Sequence, residues 1–315
     1  MAKVREIFNI MAKKYDNLSD LWYSWLFSRL HYLIAKKILN KDHLEKILDV
    51  GCGTGFQSFL YASNGCHVYG IDIADELVEV AKNKINAFNP KKLELFPPYY
   101  DYVKRYNQLI KDLINKNERF KNYIPPKFFT GDATKIKFND EEFDHINCCG
   151  STLSFIPNYK KAISEMARVL KRKGSFFIEV ENRWNLNLLW YVIDPLFRGK
   201  YEINKNFKAG LRLLTTKVTS NVWTNFPFGE ADKPVNMKLN LFTPYSLKRD
   251  LNSYGLKVEK KYFIHSITNI IPCTLLDCLK PGKKLISRFK FLAKLEEKLS
   301  FKISGSSLVL YGRKV

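Results

Sequence analysis

The chain has 315 residues, of which 46% are hydrophobic and 26% are charged, and its formal net charge at pH 7 is +21. This length and composition indicate a globular protein with a large buried core and exclude a disordered chain. No apolar run approaches the roughly 18 residues of a transmembrane helix, and the first residues lack the apolar stretch of a signal peptide. We therefore expect a cytoplasmic protein.

The positive charge is spread along the chain. Residues 243–315 hold 15 Lys and Arg and 5 Asp and Glu, and most of the other basic residues are single lysines. A nucleic acid, an anionic membrane or solvent alone fits such a charge. No basic stripe is interleaved with aromatic residues and no RNA-binding motif occurs, so a solvated surface is favoured over a nucleic-acid footprint.

Helix and strand patterns alternate along most of the chain. Apolar residues at three- and four-residue spacing predict helix within the first forty residues. Five short apolar segments then predict strands at 46–50, 66–71, 127–130, 143–149 and 175–180, with helices at 53–64, 75–88 and 159–170. Asp75 is the predicted N-cap of the second of these helices. The alternation predicts an α/β fold, a mainly parallel sheet with helices on both faces.

The end of the chain continues this pattern. Thr243-Pro244 opens a predicted helix that stops at Gly255, followed by a strand at 256–263, a basic amphipathic helix at 283–299 and a last strand at 307–312. Seven strands are therefore expected in the sheet. The basic helix carries the charge and apolar residues for a peripheral membrane contact, although packing against the sheet also explains its apolar side.

Two segments interrupt the alternation, and they set the predicted domain boundaries. Residues 90–126 are bracketed by prolines around a helical stretch, and residues 183–242 are rich in aromatic residues. We expect residues 1–42 to form an N-terminal helical lid and residues 43–182 with 243–315 to form the core. The segment 90–126 is then a helical insert in the core, and 183–242 is a substrate-cap insert, so both inserts are expected to be helical caps.

The six cysteines do not follow a metal-binding spacing. No C-x-x-C pair and no Cys/His group with zinc spacing occurs, so we expect free thiols and no metal. The six are Cys52, Cys66, Cys148, Cys149, Cys273 and Cys278.

A glycine-rich turn between the first strand and its helix predicts a ligand site. The sequence Asp49-Val50-Gly51-Cys52-Gly53-Thr54-Gly55 has the spacing G-x-G-x-G and contains neither G-x-G-x-x-G nor a phosphate-binding Gly-Lys-Ser/Thr. Glycines there let the backbone approach a ligand at the carboxyl end of a strand. Taken alone, the turn fits a dinucleotide, a nucleotide or S-adenosylmethionine.

Three further strand ends narrow that choice. Gly70-Ile71-Asp72-Ile73 places an acid where it can accept both ribose hydroxyls, Thr130-Gly131-Asp132-Ala133 places one near an adenine amino group, and the strand 143–149 ends at Cys149. In this order the four motifs resemble the class I S-adenosylmethionine-dependent methyltransferases, over about residues 43–182 and more loosely 243–263. The resemblance implies their Rossmann-like seven-stranded fold and direct displacement at the sulfonium methyl group.

The resemblance also implies roles for individual residues. Gly51, Cys52 and Gly53 would border the methionine part of the cofactor, Asp49 would orient this loop, and Cys149 would lie near the methionine end. The remaining implied contacts are Asp72 with the ribose, Ile73 with the adenine ring, and Asp132 and Ala133 with the adenine edge.

The methyl acceptor is less closely specified. The segment from Lys3 to Asp16 resembles the opening of the ubiquinone/menaquinone C-methyltransferase group, which implies that Tyr15 lies near the cofactor. The segment from Cys149 to Phe155 resembles the loop of glycine- and sarcosine-type N-methyltransferases. The sequence therefore predicts a small or lipid-like acceptor, of quinone or amine type, with RNA as the alternative, and it does not define the oligomeric state.

Two charged residues after the fifth strand are candidate catalytic residues. Glu181 could act as a base or bind a cation, and Arg183 could bind an anionic head group. A surface salt-bridge cluster at a strand end is an equal alternative for both residues.

Overall fold

The protein is represented by a computed structural model that describes residues 2–16, 21–39, 44–89, 108–112, 123–186, 222–228, 235–271, 283–299 and 304–315. The helices are α1 (Ala2–Tyr15), α2 (Leu21–Ile34), α3 (Phe56–Ala62), α4 (Asp75–Lys84), α5 (Tyr159–Val169), α6 (Pro244–Asn252) and α7 (Lys283–Leu299). The strands are β1 (Lys46–Val50), β2 (His67–Asp72), β3 (Lys127–Thr130), β4 (Phe143–Cys148), β5 (Leu170–Glu181), β6 (Val222–Phe228), β7 (Val235–Leu241), β8 (Leu256–Ile264) and β9 (Ser307–Lys314).

Seven strands form one sheet in the order β3-β2-β1-β4-β5-β9-β8. The pairs among β3, β2, β1, β4 and β5 are parallel, and β9 runs antiparallel to both of its neighbours. The predicted mainly parallel seven-stranded sheet is therefore confirmed. After β1 the chain adds β2 and β3 on one side and then crosses to β4 on the other side. Strand order thus reverses between β1 and β4, where open α/β sheets bind ligands.

Successive side chains of strand β1 pack into the cores on opposite faces of the sheet. Ile47 joins a core cluster with residues of α2, α3 and α7, whereas Leu48 and Val50 join a second cluster with residues of α5 and α6. All three side chains are fully buried. Burial of each such side chain contributes about 1.5–3 kcal/mol to folding. The two clusters fix the sheet between its helices, which makes the strand ends a rigid base for a site.

A local signal accounts for the start of α6 but not for the start of α4. Thr243 caps α6 through a reciprocal bond with Ser246, as its Thr-Pro sequence predicts. The prediction that Asp75 caps α4 is wrong, because the N-cap is Ala74 and Asp75 is the first helical residue. The carboxylate of Asp75 instead contacts α1, and the Ala74 N–H donates to Asp72 at 2.9 Å. A tertiary contact has replaced a local cap.

Two other elements differ from the sequence-based expectation. Strand β5 begins at Leu170, five residues earlier than predicted, because Leu170 already pairs with Phe143 before a register shift. The prediction of helical inserts is wrong for the described part of 183–242, where β6 and β7 form a two-stranded antiparallel ribbon. Most of the predicted helical stretch in 90–126 lies outside the described residues. Its described part, 108–112, is helical.

Within the part of the chain that the structure describes, no helix is long and apolar enough to cross a bilayer. Four of the cysteines, Cys52, Cys66, Cys148 and Cys149, are buried free thiols. Cys273 and Cys278 lie outside the described residues.

Candidate functional site

The loop after β1 is built on three glycines with positive φ: Gly51 at 72°, Gly53 at 52° and Gly55 at 89°. A Cβ atom on Gly51 would lie 2.1 Å from Thr152 Oγ1, and one on Gly55 would lie 2.8 Å from the Phe128 ring. A Cβ on Gly53 would meet no atom within 4 Å. Two glycines therefore permit close packing of the loop, while Gly53 faces open space.

Asp72, at the end of β2, binds this loop. Its Oδ2 accepts from the Gly53 N–H at 2.9 Å, and its Oδ1 accepts from the Ala74 N–H at the same distance. Burial raises the pKa of Asp72, and the backbone donors oppose that rise. The carboxylate remains half-buried beside the cavity described below. It therefore joins the ends of β1 and β2 and still faces the space between them.

Asp49 lies behind the loop. Its side chain is 1% exposed, and its two oxygens accept from Ser58 Oγ at 2.5 Å and from Asn147 Nδ2 at 2.7 Å. Burial raises the pKa of Asp49 to about 6, although both hydrogen bonds favour the carboxylate. Asp49 thus ties β1 to α3 and to β4, which fixes the direction in which the glycine loop leaves the sheet.

A pair of glutamates stands at the end of β5. Glu179 is fully buried and accepts from the Ser151 N–H at 2.6 Å, and Glu181 is half-buried and accepts from Ser151 Oγ at 2.8 Å. Ser151 Oγ also lies 3.3 Å from Glu179 Oε1, so one hydroxyl proton is shared between two carboxylates. Burial, and then the charge of Glu179, raises the pKa of Glu181 to about 8. The pair holds the turn that follows β4.

That turn takes an unusual backbone conformation. Gly150 has φ 73° and Ser151 has φ 57°, a left-handed conformation that only glycine adopts without strain. The bonds from Ser151 to the two glutamates hold this conformation in place. A Cβ on Gly150, as on Gly53, would meet no atom within 4 Å.

A cavity of about 750 Å³, including its open mouth, lies over the ends of β1, β2 and β4. One part of its wall is backbone and small residues, among them Gly53, Gly131 and Gly150. Polar side chains such as Thr54 and Gln57 also line the cavity, and an apolar part of the wall is contributed by α1, α2 and the turn after β4. These apolar residues are Val4, Phe8, Phe27, Phe155 and Ile156. The cavity thus combines a polar floor at the strand ends with an apolar cover.

Helix α1 covers the cavity and is held at both ends. Near its start, Asp75 Oδ1 on α4 accepts from Arg5 Nε at 2.9 Å and from Asn9 Nδ2 at 2.8 Å. After its end, Asp16 accepts from Thr54 Oγ1 at 2.6 Å and pairs with Lys84 at 2.5 Å. The helix is therefore attached to the glycine loop and to the start of α4.

Replacing Asp75 with alanine removes both contacts near the start of α1 and should loosen this cover. We expect the dissociation rate of a molecule bound in the cavity to rise about threefold to tenfold, since exposed ion pairs contribute little individually. Arg5 and Asn9 hold the pKa of Asp75 well below its usual range, so the effect should persist unchanged between about pH 5 and 9. Stopped-flow binding measures the rate. Glu79→Ala, which removes an exposed pair within α4, is the control, and equal effects of the two variants would contradict a lid role.

Most residues that the sequence predicted for the cofactor line this cavity. They are Tyr15, Gly51, Cys52, Gly53, Asp72, Ile73, Ala133 and Cys149. Asp132 lies between two lining residues, but its Oδ1 accepts from the N–H and the hydroxyl of Thr134, both at 2.8 Å. Glu181 is not among the cavity-lining residues and accepts from Ser151, whose neighbours Gly150 and Thr152 do line the cavity. Arg183 is fully buried and lies 5.1 Å above the Trp184 ring.

Several residues of the site were not found from the sequence. Asn147 and Ser58, which bind Asp49, carry no local signal. Glu179 does carry one, because an acid within the apolar run Ser175–Val180 must find partners inside the protein. The ring centroids of Phe8 and Phe155 lie 5.5 Å apart in an edge-to-face arrangement. Only the packing of α1 against the turn after β4 brings these two rings together.

Comparisons with known proteins agree with this geometry. Residues 48–178 match the family model described as a methyltransferase domain. A demethylmenaquinone methyltransferase of Leptospira interrogans is 30% identical over 217 residues, which cover 64% of this chain and 74% of that protein. One from Staphylococcus aureus is 27% identical over 255 residues, covering 76% of this chain and 88% of that protein.

A solved structure of similar fold is that of an S-adenosylmethionine-dependent methyltransferase from Methanosarcina mazei. It has a TM-score of 0.52 and 18% identity, and the match covers 89% of this chain and 97% of that one. The family model, the two relatives and this fold agree with the motifs at the ends of β1, β2 and β4. The chain belongs to the class I S-adenosylmethionine-dependent methyltransferases and is an enzyme that uses S-adenosylmethionine as its methyl donor.

Proposed function

We propose that the enzyme methylates a small, lipid-like acceptor, a quinone-type ring in the first instance. The observation that carries the proposal is the apolar cover of the cavity, formed by Val4, Phe8, Phe27, Phe155 and Ile156. Such a cover favours an apolar acceptor, because it buries the ring away from water and offers few polar partners. The names of the two demethylmenaquinone methyltransferase relatives support the same acceptor class.

The residues present fit the methyl donor. Gly53 and Gly150 border the cavity, and a side chain on either would project into its open space. We infer that the Gly51–Gly53 backbone and Cys149 hold the methionine part, that Asp72 accepts from the ribose hydroxyls, and that Ile73 and Ala133 contact the adenine. Asp132, held by Thr134, keeps one oxygen for the adenine amino group. Asp49 acts from behind, by orienting the loop.

When bound, S-adenosylmethionine supplies an electrophilic methyl group on its sulfonium. The enzyme then needs to align the acceptor with that group and to exclude water, which together account for most of the rate in such displacements. Tyr15 and Phe8 of the lid close the side of the cavity opposite the strand ends. The cavity wall therefore positions the acceptor. The reaction also needs a group that accepts the proton released by the acceptor.

Glu181 is the group that we assign to that proton. A quinol-type ring carbon becomes a good nucleophile when a ring hydroxyl loses its proton, and a carboxylate within reach can accept it. Glu181, the last residue of β5, accepts from Ser151, which stands between the cavity-lining Gly150 and Thr152. Glu179 is buried behind it and positions Ser151. We assign no acceptor contact to Arg183, whose guanidinium is buried over Trp184.

The proposal of a cap is supported by contacts between helix α1 of the lid and strand β7 of the ribbon. Met237, Leu239 and Leu241 of β7 are buried in one cluster with Ile7 of α1 and with Phe155. We therefore keep the proposed division into an N-terminal lid at 1–42, a core at 43–182 and 243–315, and a cap at 183–242. In this division the lid and cap together close the acceptor side.

Methyl transfer from labelled S-adenosylmethionine into separate cell extracts tests the proposal. We expect label in the lipid extract and, in a defined assay, in a reduced demethylmenaquinone. Soluble amines and total RNA should stay near the background set by the Asp72→Ala enzyme. Label in RNA alone would overturn the proposed acceptor class. Label only in small amines would instead favour the N-methyltransferase resemblance of the loop after β4.

A further inference from the structure

Helix α7 is fixed in one orientation by a buried carboxylate. Glu296 is fully buried and accepts from Trp25 Nε1 at 3.0 Å and from the His265 N–H at 2.8 Å. It also accepts from the Thr268 N–H at 3.0 Å and from Thr268 Oγ1 at 2.8 Å. Phe289 and Ala293, on the same side of the helix, are buried in the core. The side of α7 that carries Phe289, Ala293 and Glu296 therefore packs against the core. The opposite side is its outer face.

The outer face combines exposed cations with exposed apolar side chains. At 100° per residue, six exposed residues fall within about one third of the helix circumference. They are Lys284, Ser287, Arg288, Phe291, Lys294 and Leu295. Phe291 is 67% exposed and Leu295, one turn further on, is 38% exposed. None of the six is acidic, so the face presents two apolar side chains flanked by three cations.

We propose that this outer face of α7 binds an anionic lipid bilayer as a peripheral contact. Lys284, Arg288 and Lys294 complement the negative surface potential of such a bilayer, and Phe291 and Leu295 can enter the boundary between head groups and acyl chains. Apolar groups at the centre distinguish this face from a nucleic-acid footprint, in which cations and hydrogen-bond donors contact phosphates. The net charge of +21 adds long-range attraction to the same partner.

The position of α7 links this surface to the cavity. Glu296 binds Trp25 on α2, and Phe27, two residues further along α2, lines the cavity. A bilayer held against the outer face of α7 would therefore be separated by one helix from α2, which forms part of the apolar cover. The membrane contact does not depend on the identity of the acceptor, because it needs only the exposed face of α7 and the positive charge of the protein.

Vesicle flotation of the full chain tests the surface. We compare vesicles of phosphatidylcholine alone with vesicles that also contain phosphatidylglycerol. Binding is expected only to the anionic vesicles, and Phe291→Ser should reduce it about tenfold through lost apolar burial. The double variant K284E/R288E should reduce it at least about tenfold, since each basic residue near the surface adds to the attraction.

Matched controls separate a defined surface from general charge. Tyr245→Ser removes an aromatic residue that is 61% exposed on α6, and K257E/K260E reverses two exposed lysines on β8. Both should bind vesicles like the parent protein. Equal losses in test and control variants would overturn the proposal, as would equal binding to neutral vesicles. A loss of RNA binding without a loss of vesicle binding in the α7 variants would assign the face to a nucleic acid instead. Unchanged S-adenosylmethionine affinity verifies that each variant is folded.

Discussion

Replacing Asp72 with alanine is expected to lower the affinity for S-adenosylmethionine by at least about 100-fold. The substitution removes the proposed acceptor for two ribose hydroxyls, and hydrogen bonds to a charged group contribute about 1.5–3 kcal/mol each. It also removes the acceptor of the Gly53 and Ala74 N–H groups, which frees the loop that borders the cavity. The first effect removes contacts from the complex, and the second lowers the order of the loop before the cofactor binds. Isothermal titration calorimetry measures the dissociation constant directly.

One further variant separates the ribose contact of Asp72 from its role in the loop, and a second serves as a control. Asp72→Asn keeps one oxygen for the backbone but loses the charge and one acceptor, so it should bind with intermediate affinity. Asp140→Ala removes a surface carboxylate that pairs with Arg168 and should leave affinity unchanged. If Asp72→Ala binds the cofactor with an affinity within about threefold of that of the parent protein, the proposed ribose contact of Asp72 is wrong. Asp72 would then only hold the loop through its bonds with Gly53 and Ala74.

The sequence predicts those parts of the fold that local patterns determine. The bounds of β1, β3 and α7 agree with the expected ones, because each segment is a distinct apolar or amphipathic run. The start of α6 follows from Thr243-Pro244, whereas the helix ends at Asn252, three residues before the predicted stop at Gly255. The glycine loop is predictable for the same reason: its residues, its conformation and its position after a strand are all local.

Features that depend on distant partners are not predictable in this way. Asp75 looks like a helix cap in the sequence, but Arg5 and Asn9, about 70 residues away along the chain, use its carboxylate. Strand β7 alternates apolar and polar residues from Val235 to Leu241, so the strand itself could have been predicted, but its packing on α1 could not. Glu179 and Glu181 are two alternate acids at a strand end, and only the turn at Ser151 makes them a coupled pair.

The second large effect concerns that pair. Replacing Glu181 with glutamine should lower kcat by about 100-fold, at the lower end of general-base contributions, while affinity for S-adenosylmethionine stays the same. Because the pKa of Glu181 is raised to about 8, kcat of the parent enzyme should rise with pH through about 8. The glutamine variant should lack this rise. A pH profile of methyl transfer from labelled S-adenosylmethionine to a reduced demethylmenaquinone measures both effects, and the inflection belongs to the Glu179–Glu181 pair.

Stability provides an independent measurement on the same variant. A carboxyl whose folded pKa is raised stabilises the fold below its unfolded pKa of about 4.3, and this contribution is lost as the pH rises towards 8. The glutamine side chain does not ionise, so its variant should be more stable than the parent protein at pH 9 although it is less active. Glu259→Gln, an exposed change on β8, should alter neither property. An unchanged pH profile in Glu181→Gln would show that another group takes the proton, because a merely structural glutamate would change the stability without changing the inflection.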